Sequence, residues 1–296
     1  MFGIKIPFLI SGYEKQCEGM YTYAPAEIEC DKWFLSFRRK IIDSIGKVYL
    51  PVCRISDGEF LTLLGYQWMN FKYPFKKMLK NNVNYILQLF FPYQRISAHT
   101  LPFVSSGKYD ISEVRYIRKV YGDMLAKLSE TGILAIHLSS GRKPFQQHYY
   151  RLFGKFLKEF SIDLTFQNYV PFYFIYPMLT GSGKHELFAG KRILLINGAE
   201  KNKKEKIISS LFDLGAKEIH WLAISNSKSM FDQINVDEFI GKIDIAFLGA
   251  GIGKPNILLQ LAKLNIPCID AGYVFEIWAD SSLGLKRRFC SYNYHQ

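Results

Sequence analysis

Short apolar runs alternate with segments of helical periodicity along most of the chain. The apolar runs lie at 48–55, 133–138, 192–197, 218–224, 243–248 and 266–270. Apolar residues at helical spacing predict helices over about 33–45, 59–69, 75–90, 112–130 and 144–160, another around 207–214, and one that opens at Pro255. Strands that alternate with helices indicate a parallel sheet. The predicted fold class is therefore α/β, with a Rossmann-like, doubly wound, mostly parallel sheet and flanking helices.

The length of 296 residues allows one large α/β domain or two small ones. Neither an internal repeat nor a low-complexity linker divides the sequence. We predict a single domain over 1–296, with an irregular start of about 30 residues, a first half over 31–185 and a Rossmann-like half over 186–296. In such sheets ligands bind at the carboxyl ends of the strands.

The composition is that of a folded protein with a basic surface. Apolar residues make up 49% of the chain and charged residues 22%, which excludes a disordered protein. The net charge of +12 favours anionic partners such as nucleotide phosphates, nucleic acid or an anionic membrane face. The basic residues are scattered over several segments, and no recognition helix, RNP motif or zinc finger occurs, so we expect no specific nucleic acid partner.

The cysteines and apolar segments indicate the compartment. The chain has five cysteines, an odd number, without CxxC spacing, so we expect neither a disulfide framework nor a zinc site, and a reducing environment. The first apolar run is interrupted by Lys5 and Pro7, and the run over 170–179 is too short to span a bilayer. We expect a cytoplasmic protein, with peripheral contact at the inner face of the membrane as an additional expectation.

An acidic motif follows the first predicted strand. Asp57 and Glu59 flank Gly58, so a turn at the strand end can direct both carboxylates at one point. Two hard oxygen ligands suit Mg²⁺ or Mn²⁺, and Arg54 could contact a phosphate. The alternative is a capping box with Ser56 as N-cap and Glu59 at N3, in which Asp57 complements the helix dipole. Spacing alone leaves both interpretations open.

A glycine loop connects a later strand to a helix. Gly249, Gly251 and Gly253 precede Lys254 and Pro255, which is suitable for a backbone that approaches a diphosphate closely. The loop matches neither GxGxxG nor Walker A. A tight turn without a ligand is the alternative.

Two further acidic residues follow the last predicted strand. Asp270 ends the strand and Glu276 comes six positions later. Either could contact donor hydroxyls or act as a general base for an acceptor hydroxyl. The alternative is an aspartate that caps a turn and a glutamate on the surface.

The segment RISDGEF, residues 54–60, resembles the DxE motif region of the GT-D-type glycosyltransferases, formerly a domain of unknown function (DUF1792). The segment over 247–278 resembles the C-terminal segment of that family, so the resemblance covers about 48–280. Tyr273 stands where we expect a histidine in relatives.

The resemblance implies a Rossmann-like sheet, a UDP-sugar donor, and Mn²⁺ or Mg²⁺ held by Asp57 and Glu59. We expect catalysis to depend on Asp270 and Glu276. We expect six further residues to bind the nucleotide-sugar, namely Arg54, Ser56, Gly249, Gly251, Gly253 and Lys254.

The predicted function is a metal-dependent glycosyltransferase of the hexosyltransferase type. It would move a sugar from a nucleotide-sugar to a glycan, or to a lipid-linked or protein-linked saccharide. Two alternatives stay open. One is another Rossmann enzyme, such as an NAD(P) oxidoreductase that uses the glycine loop, and the other is a basic nucleic-acid-binding protein.

Overall fold

The computed structural model describes residues 12–17, 20–25, 29–55, 59, 111–136, 153–226 and 228–285. Ser56, Asp57 and Gly58 lie outside the described residues, as do the predicted helix over 75–90 and nearly all of the one over 59–69. Glu59 is a helical residue in the structure.

The described strands form a hairpin and a larger sheet. They are β1 Gly12–Cys17, β2 Met20–Pro25, β3 Leu50–Ile55, β4 Ile133–Ile136, β5 Tyr169–Pro171, β6 Arg192–Asn197, β7 Glu218–Leu222, β8 Ile245–Gly249 and β9 Pro267–Asp270. β3 to β9 make a seven-stranded sheet in the order β5-β4-β3-β9-β8-β6-β7. All of its strand pairs are parallel. The predicted α/β fold with a Rossmann-like sheet is therefore confirmed.

The N-terminal region differs from the irregular start that the sequence analysis predicts. β1 and β2 pair antiparallel, with Cys17 opposite Met20. Only Glu18 and Gly19 separate the two strands in the sequence. A two-residue connection that contains glycine, next to a β-forming run such as MYTY, is a hairpin signal. The prediction missed it because the region lacks the long apolar run that marks the other strands.

The described helices lie before, between and after the strands of the sheet. They are α1 Cys30–Ser44, α2 Ile111–Thr131, α3 over 153–159, α4 Ile175–Thr180, α5 His185–Phe188, α6 Lys201–Asp213, α7 Lys254–Gln260, α8 Val274–Ala279 and α9 Ser282–Leu285. Short 3-10 turns lie at Phe172–Phe174, Ser182–Lys184, Ser229–Phe231, Asp237–Phe239, Gly251–Gly253 and Leu261–Leu264. In the part of the chain that the structure covers, none of these helices combines the length and the apolar character needed to cross a bilayer.

Helical spacing determines which residues α1 buries. Trp33, Phe37 and Ile41 recur every four positions, Phe34 lies beside the first of them, and all four are buried against the core. The helix ends just before Gly46, which has a φ of +67°. This left-handed conformation is easily adopted by glycine and ends a helix.

The central strands are mostly apolar because both faces of the sheet are covered, and their charged residues, Arg54 and Asp270, lie near the carboxyl ends. β3, β4 and β9 are buried at every position, and residues 193–196 of β6 are fully buried. At one edge of the sheet, β7 is only half-buried.

One sequence-based expectation about cysteines needs correction. Cys30 takes part in a disulfide bond, whereas the odd cysteine count suggested none. An odd number excludes complete pairing but not a single bond. Cys53 and Cys268 are free and buried, as expected of small core residues, and burial raises the pKa of both thiols.

The pairing of β3 with β9 joins the two predicted halves of the chain. Leu50 is in register with Pro267, and Val52 with Ile269. Because β3, β9 and β8 are neighbours and parallel, their carboxyl ends lie along the same edge of the sheet. The acidic motif, the glycine loop and Asp270 each follow or end one of these strands.

Candidate active site

Four charged side chains from distant segments form one buried cluster at this edge. Arg54 lies near the end of β3, Glu59 follows it, Lys254 begins α7 and Asp270 ends β9. The ammonium of Lys254 contacts both carboxylates, and the guanidinium of Arg54 contacts Asp270. The structure therefore brings together four of the residues that the sequence analysis selected. We call these four residues the charge cluster.

Lys254 lies at the centre of the charge cluster. Its Nζ donates to Glu59 Oε1 at 2.7 Å and to the backbone carbonyl of Arg54 at 3.0 Å, and it lies 3.2 Å from Asp270 Oδ2. An ammonium has three N–H donors, so this group has as many acceptors as donors. Burial alone would lower the pKa of Lys254, but Asp270 and Glu59 raise it above its usual value. The two carboxylates therefore favour the charged form of Lys254.

Asp270 also holds Arg54. The backbone N–H and Nε of Arg54 both donate to Asp270 Oδ2 at 3.3 Å. Burial would lower the pKa of Arg54, yet the negative charge of Asp270, the largest opposing cause, raises it. The guanidinium carbon lies 5.3 Å from the ring centroid of Tyr176, within cation–π distance.

The close approach of Arg54 explains why residue 272 is a glycine. A Cβ at this position would lie 1.5 Å from Nη2 of Arg54, and its φ is +46°. A side chain would therefore both clash and strain the backbone. The glycine of the segment Asp270-Ala271-Gly272 thus makes room for the arginine that the aspartate binds.

The described carboxylates fit a hard divalent cation only in part. Asp270 Oδ1 is buried and has no hydrogen-bond partner within the described part of the chain, and Glu59 supplies a second carboxylate nearby. No group of three or more His, Cys, Asp or Glu side chains among the described residues is placed to hold a metal. Mg²⁺ commonly takes one or two protein carboxylates and completes its shell with water and phosphate oxygens. Oxygen donors of this kind suit such an ion, and Asp57 lies outside the described residues.

Internal packing and backbone conformation account for the three glycines of the loop. A Cβ on Gly249 would lie 2.5 Å from Asn197 Nδ2, and one on Gly253 would lie 2.3 Å from Ser229 Oγ. Gly251 has a φ of +51°. The two clashes and the positive φ explain the three glycines without a ligand, so contact of the loop with a nucleotide-sugar stays a prediction.

Sequence reasoning missed two side chains that hold this loop. Asn197 Nδ2 donates to the carbonyl of Gly249 at 2.9 Å, and Ser229 Oγ donates to the carbonyl of Ala250 at 2.7 Å. It also missed Tyr176 and the close approach of Arg54 to Gly272. Asn197 carried a usable signal, because it is a polar residue at the end of the apolar run that forms β6.

Glu276 lies apart from the charge cluster, in an ion pair. It accepts a bond from Lys203 of α6, and the two side chains are 42% and 33% exposed, respectively. Because α6 follows β6 and α8 follows β9, this ion pair lies at the same edge of the sheet as the charge cluster. By contrast, Asp270 is 1% exposed. The catalytic roles of both acids stay predictions.

Comparison with known proteins gave matches at the level of structure. No family model matches the sequence, and no curated protein matches it either. One similar solved structure is a selenomethionine-substituted domain of unknown function 1792, with 15% identity and a TM-score of 0.46, covering 83% of this chain and 86% of that one. Another is described as showing that the highly conserved domain of unknown function 1792 has a distinct glycosyltransferase fold. It has 17% identity and a TM-score of 0.46, and the match covers 85% of this chain and 86% of that one. The chain is thus similar to solved structures of the domain that its acidic motif and C-terminal segment resemble.

Proposed function

We propose that this protein is a metal-dependent glycosyltransferase that uses a nucleotide-sugar donor, with UDP as the nucleotide. The observation that carries the proposal is the ion pair of Glu59 with Lys254. It connects the acidic motif to the end of the glycine loop, and Asp270 of the C-terminal segment contacts the same ammonium. The two segments that resemble the GT-D-type enzymes are therefore in contact at the edge where parallel sheets bind ligands.

The anionic donor would bind beside the charge cluster. Arg54 and Lys254 lie near the end of β3, at the edge of the sheet that the glycine loop borders. Asp57 and Glu59 would hold Mn²⁺ or Mg²⁺. When bound, such an ion neutralises charge that builds up on the departing nucleoside diphosphate. The residues of this chain contribute the orientation of the donor and a preorganised field around it.

Accessibility favours Glu276 over Asp270 as the general base for an acceptor hydroxyl. The carboxylate of Glu276 is half-exposed, whereas Asp270 is buried and already binds Arg54 and Lys254. Glu276 must leave Lys203 to accept a proton, and release of that ion pair would be part of acceptor binding. Asp270 then acts within the charge cluster to hold the two cations.

The acceptor we propose is a glycan, or a saccharide linked to lipid or protein. A net charge of +12 supports peripheral contact with the anionic inner face of a membrane, where lipid-linked acceptors occur. The charge also supports binding of an anionic donor.

A panel of nucleotide-sugars, each assayed for binding and hydrolysis with and without Mn²⁺, tests the proposal. We expect turnover of a UDP-sugar only with the metal, and its loss in Asp57→Asn and Glu59→Gln. Glu159→Gln is the control, because Glu159 makes an exposed ion pair with Arg118. Metal-independent binding of NAD(P) without any response to UDP-sugars would contradict the proposal and favour an oxidoreductase. If both acidic variants keep full metal-dependent activity and lose only stability, the capping-box interpretation is correct.

A further inference from the structure

The ammonium of Lys254 is enclosed by its own protein. The residue is 3% exposed, and Nζ contacts Glu59 Oε1, Asp270 Oδ2 and the carbonyl of Arg54 within 3.2 Å. To bind a phosphate directly, this group would have to give up at least one of these partners. It would then leave a buried carboxylate or carbonyl without its donor, which is costly.

The position of the ammonium also affects any cation that approaches Glu59. Within the described residues, the charge cluster holds two cations and two anions, Arg54 and Lys254 with Glu59 and Asp270. These charges cancel. A divalent ion on Glu59 would gain no net attraction from the cluster, and it would be repelled by an ammonium that lies 2.7 Å from Oε1.

We propose that Lys254 is a positioning residue that holds Glu59 and Asp270 together before any ligand binds, and that its charge weakens divalent-cation binding by the nucleotide-free site. The cation therefore binds well only when a diphosphate supplies additional negative charge. This inference rests on the proposed function for the identity of the cation and the nucleotide.

The test is the Mn²⁺ affinity of the nucleotide-free Lys254→Met variant, measured by electron paramagnetic resonance of unbound Mn²⁺. Methionine keeps the unbranched apolar stem and removes the charge. We expect the dissociation constant of Mn²⁺ to fall about tenfold or more in this variant, because a repulsive charge a few ångströms from the cation is lost. We expect the UDP dissociation constant at saturating Mn²⁺, measured by calorimetry, to change less than about threefold, since Lys254 does not bind the phosphate.

Lys263→Met is the matched control. Lys263 also forms an ion pair, with Asp237 at 3.1 Å, but its side chain is 66% exposed. We expect this variant to leave both dissociation constants unchanged. The proposal is overturned if Lys254→Met leaves the Mn²⁺ affinity unchanged or lower, or if UDP binding weakens tenfold or more, which is the result for a phosphate ligand.

A second variant covers the case in which Lys254→Met does not fold. Lys254→Gln also removes the charge but keeps N–H donors for the buried carboxylates, so it should fold where Lys254→Met does not, and its Mn²⁺ affinity is measured in the same way. An Mn²⁺ affinity of Lys254→Gln that is unchanged or lower would contradict the proposal. A rise in Mn²⁺ affinity without turnover of any UDP-sugar would contradict only the proposed function, and turnover without that rise would contradict only this inference.

Discussion

Nζ of Lys254 lies 2.7 Å from Oε1 of Glu59, although 195 positions separate the two residues in the chain. The contact joins a residue that opens α7 to a residue of the acidic motif after β3. Both side chains are largely buried, with 4% and 12% exposed, respectively. Two opposite charges at this depth stabilise the fold only as a pair, because either one alone would be buried without compensation.

The first prediction concerns Glu59→Gln. The amide keeps the shape of the side chain but removes the charge that Lys254 faces, so we expect the free energy of unfolding to fall by about 2–4 kcal/mol. Urea unfolding of the two proteins measures this difference. Glu159→Gln, at an exposed ion pair, should cost no more than about 1 kcal/mol. Equal effects of the two substitutions would contradict the buried pair.

The second prediction compares two glycines with positive φ. Gly272→Ala places a Cβ 1.5 Å from Arg54 Nη2 at a φ of +46°, whereas Gly241→Ala has a φ of +72° and nothing within 4 Å. We expect Gly241→Ala to cost about 1 kcal/mol from backbone strain alone. Gly272→Ala should cost about 2–4 kcal/mol, because overpacking adds to the strain.

Urea unfolding of the two alanine variants measures this comparison directly. If Gly272→Ala is no less stable than Gly241→Ala, the guanidinium of Arg54 does not lie against the backbone at Gly272. Nucleotide-sugar turnover of Gly272→Ala should also fall, since Arg54 must move.

The third prediction concerns pH and the pair of Asp244 with Arg192. Burial alone would raise the pKa of Asp244, but hydrogen bonds from the side chain and backbone of Arg192 hold it below the usual value of 3.8. A carboxyl group whose pKa is lowered by folding stabilises the protein fully above its unfolded pKa, and this contribution disappears as the pH falls through the folded pKa.

Unfolding of the wild type and of Asp244→Asn at several pH values tests this sign. We expect the stability difference in favour of the wild type to be largest near neutral pH and to shrink as the pH falls below 3.8. A difference that grows on acidification would show that the ionised carboxylate does not stabilise the fold.

The sheet could be predicted because buried strands are continuous apolar runs. β6 has the predicted bounds, Arg192–Asn197, and β9 differs from its predicted run by one residue. β5, Tyr169–Pro171, was not predicted, because three residues that end in proline give too short a signal. The hairpin of β1 and β2 was missed for lack of a long apolar run.

The sequence was sufficient to predict which residues form the candidate site, but not which of them contact each other. Arg54, Glu59, Lys254 and Asp270 were all selected from their motifs. The sequence could not show that Arg54 binds Asp270 across 216 positions, or that the ammonium of Lys254 is enclosed. Such contacts depend on which strands are neighbours, and the order of the sheet places β9 beside β3.

The most direct test of the transferase assignment is calorimetric titration of the wild-type protein with UDP, with and without Mn²⁺. The account predicts that UDP binds only in the presence of Mn²⁺ and that Glu59→Gln abolishes this binding, while Glu159→Gln leaves it intact. Absence of UDP binding by the folded wild type in the presence of Mn²⁺, or binding that is unaffected by Glu59→Gln, would contradict it.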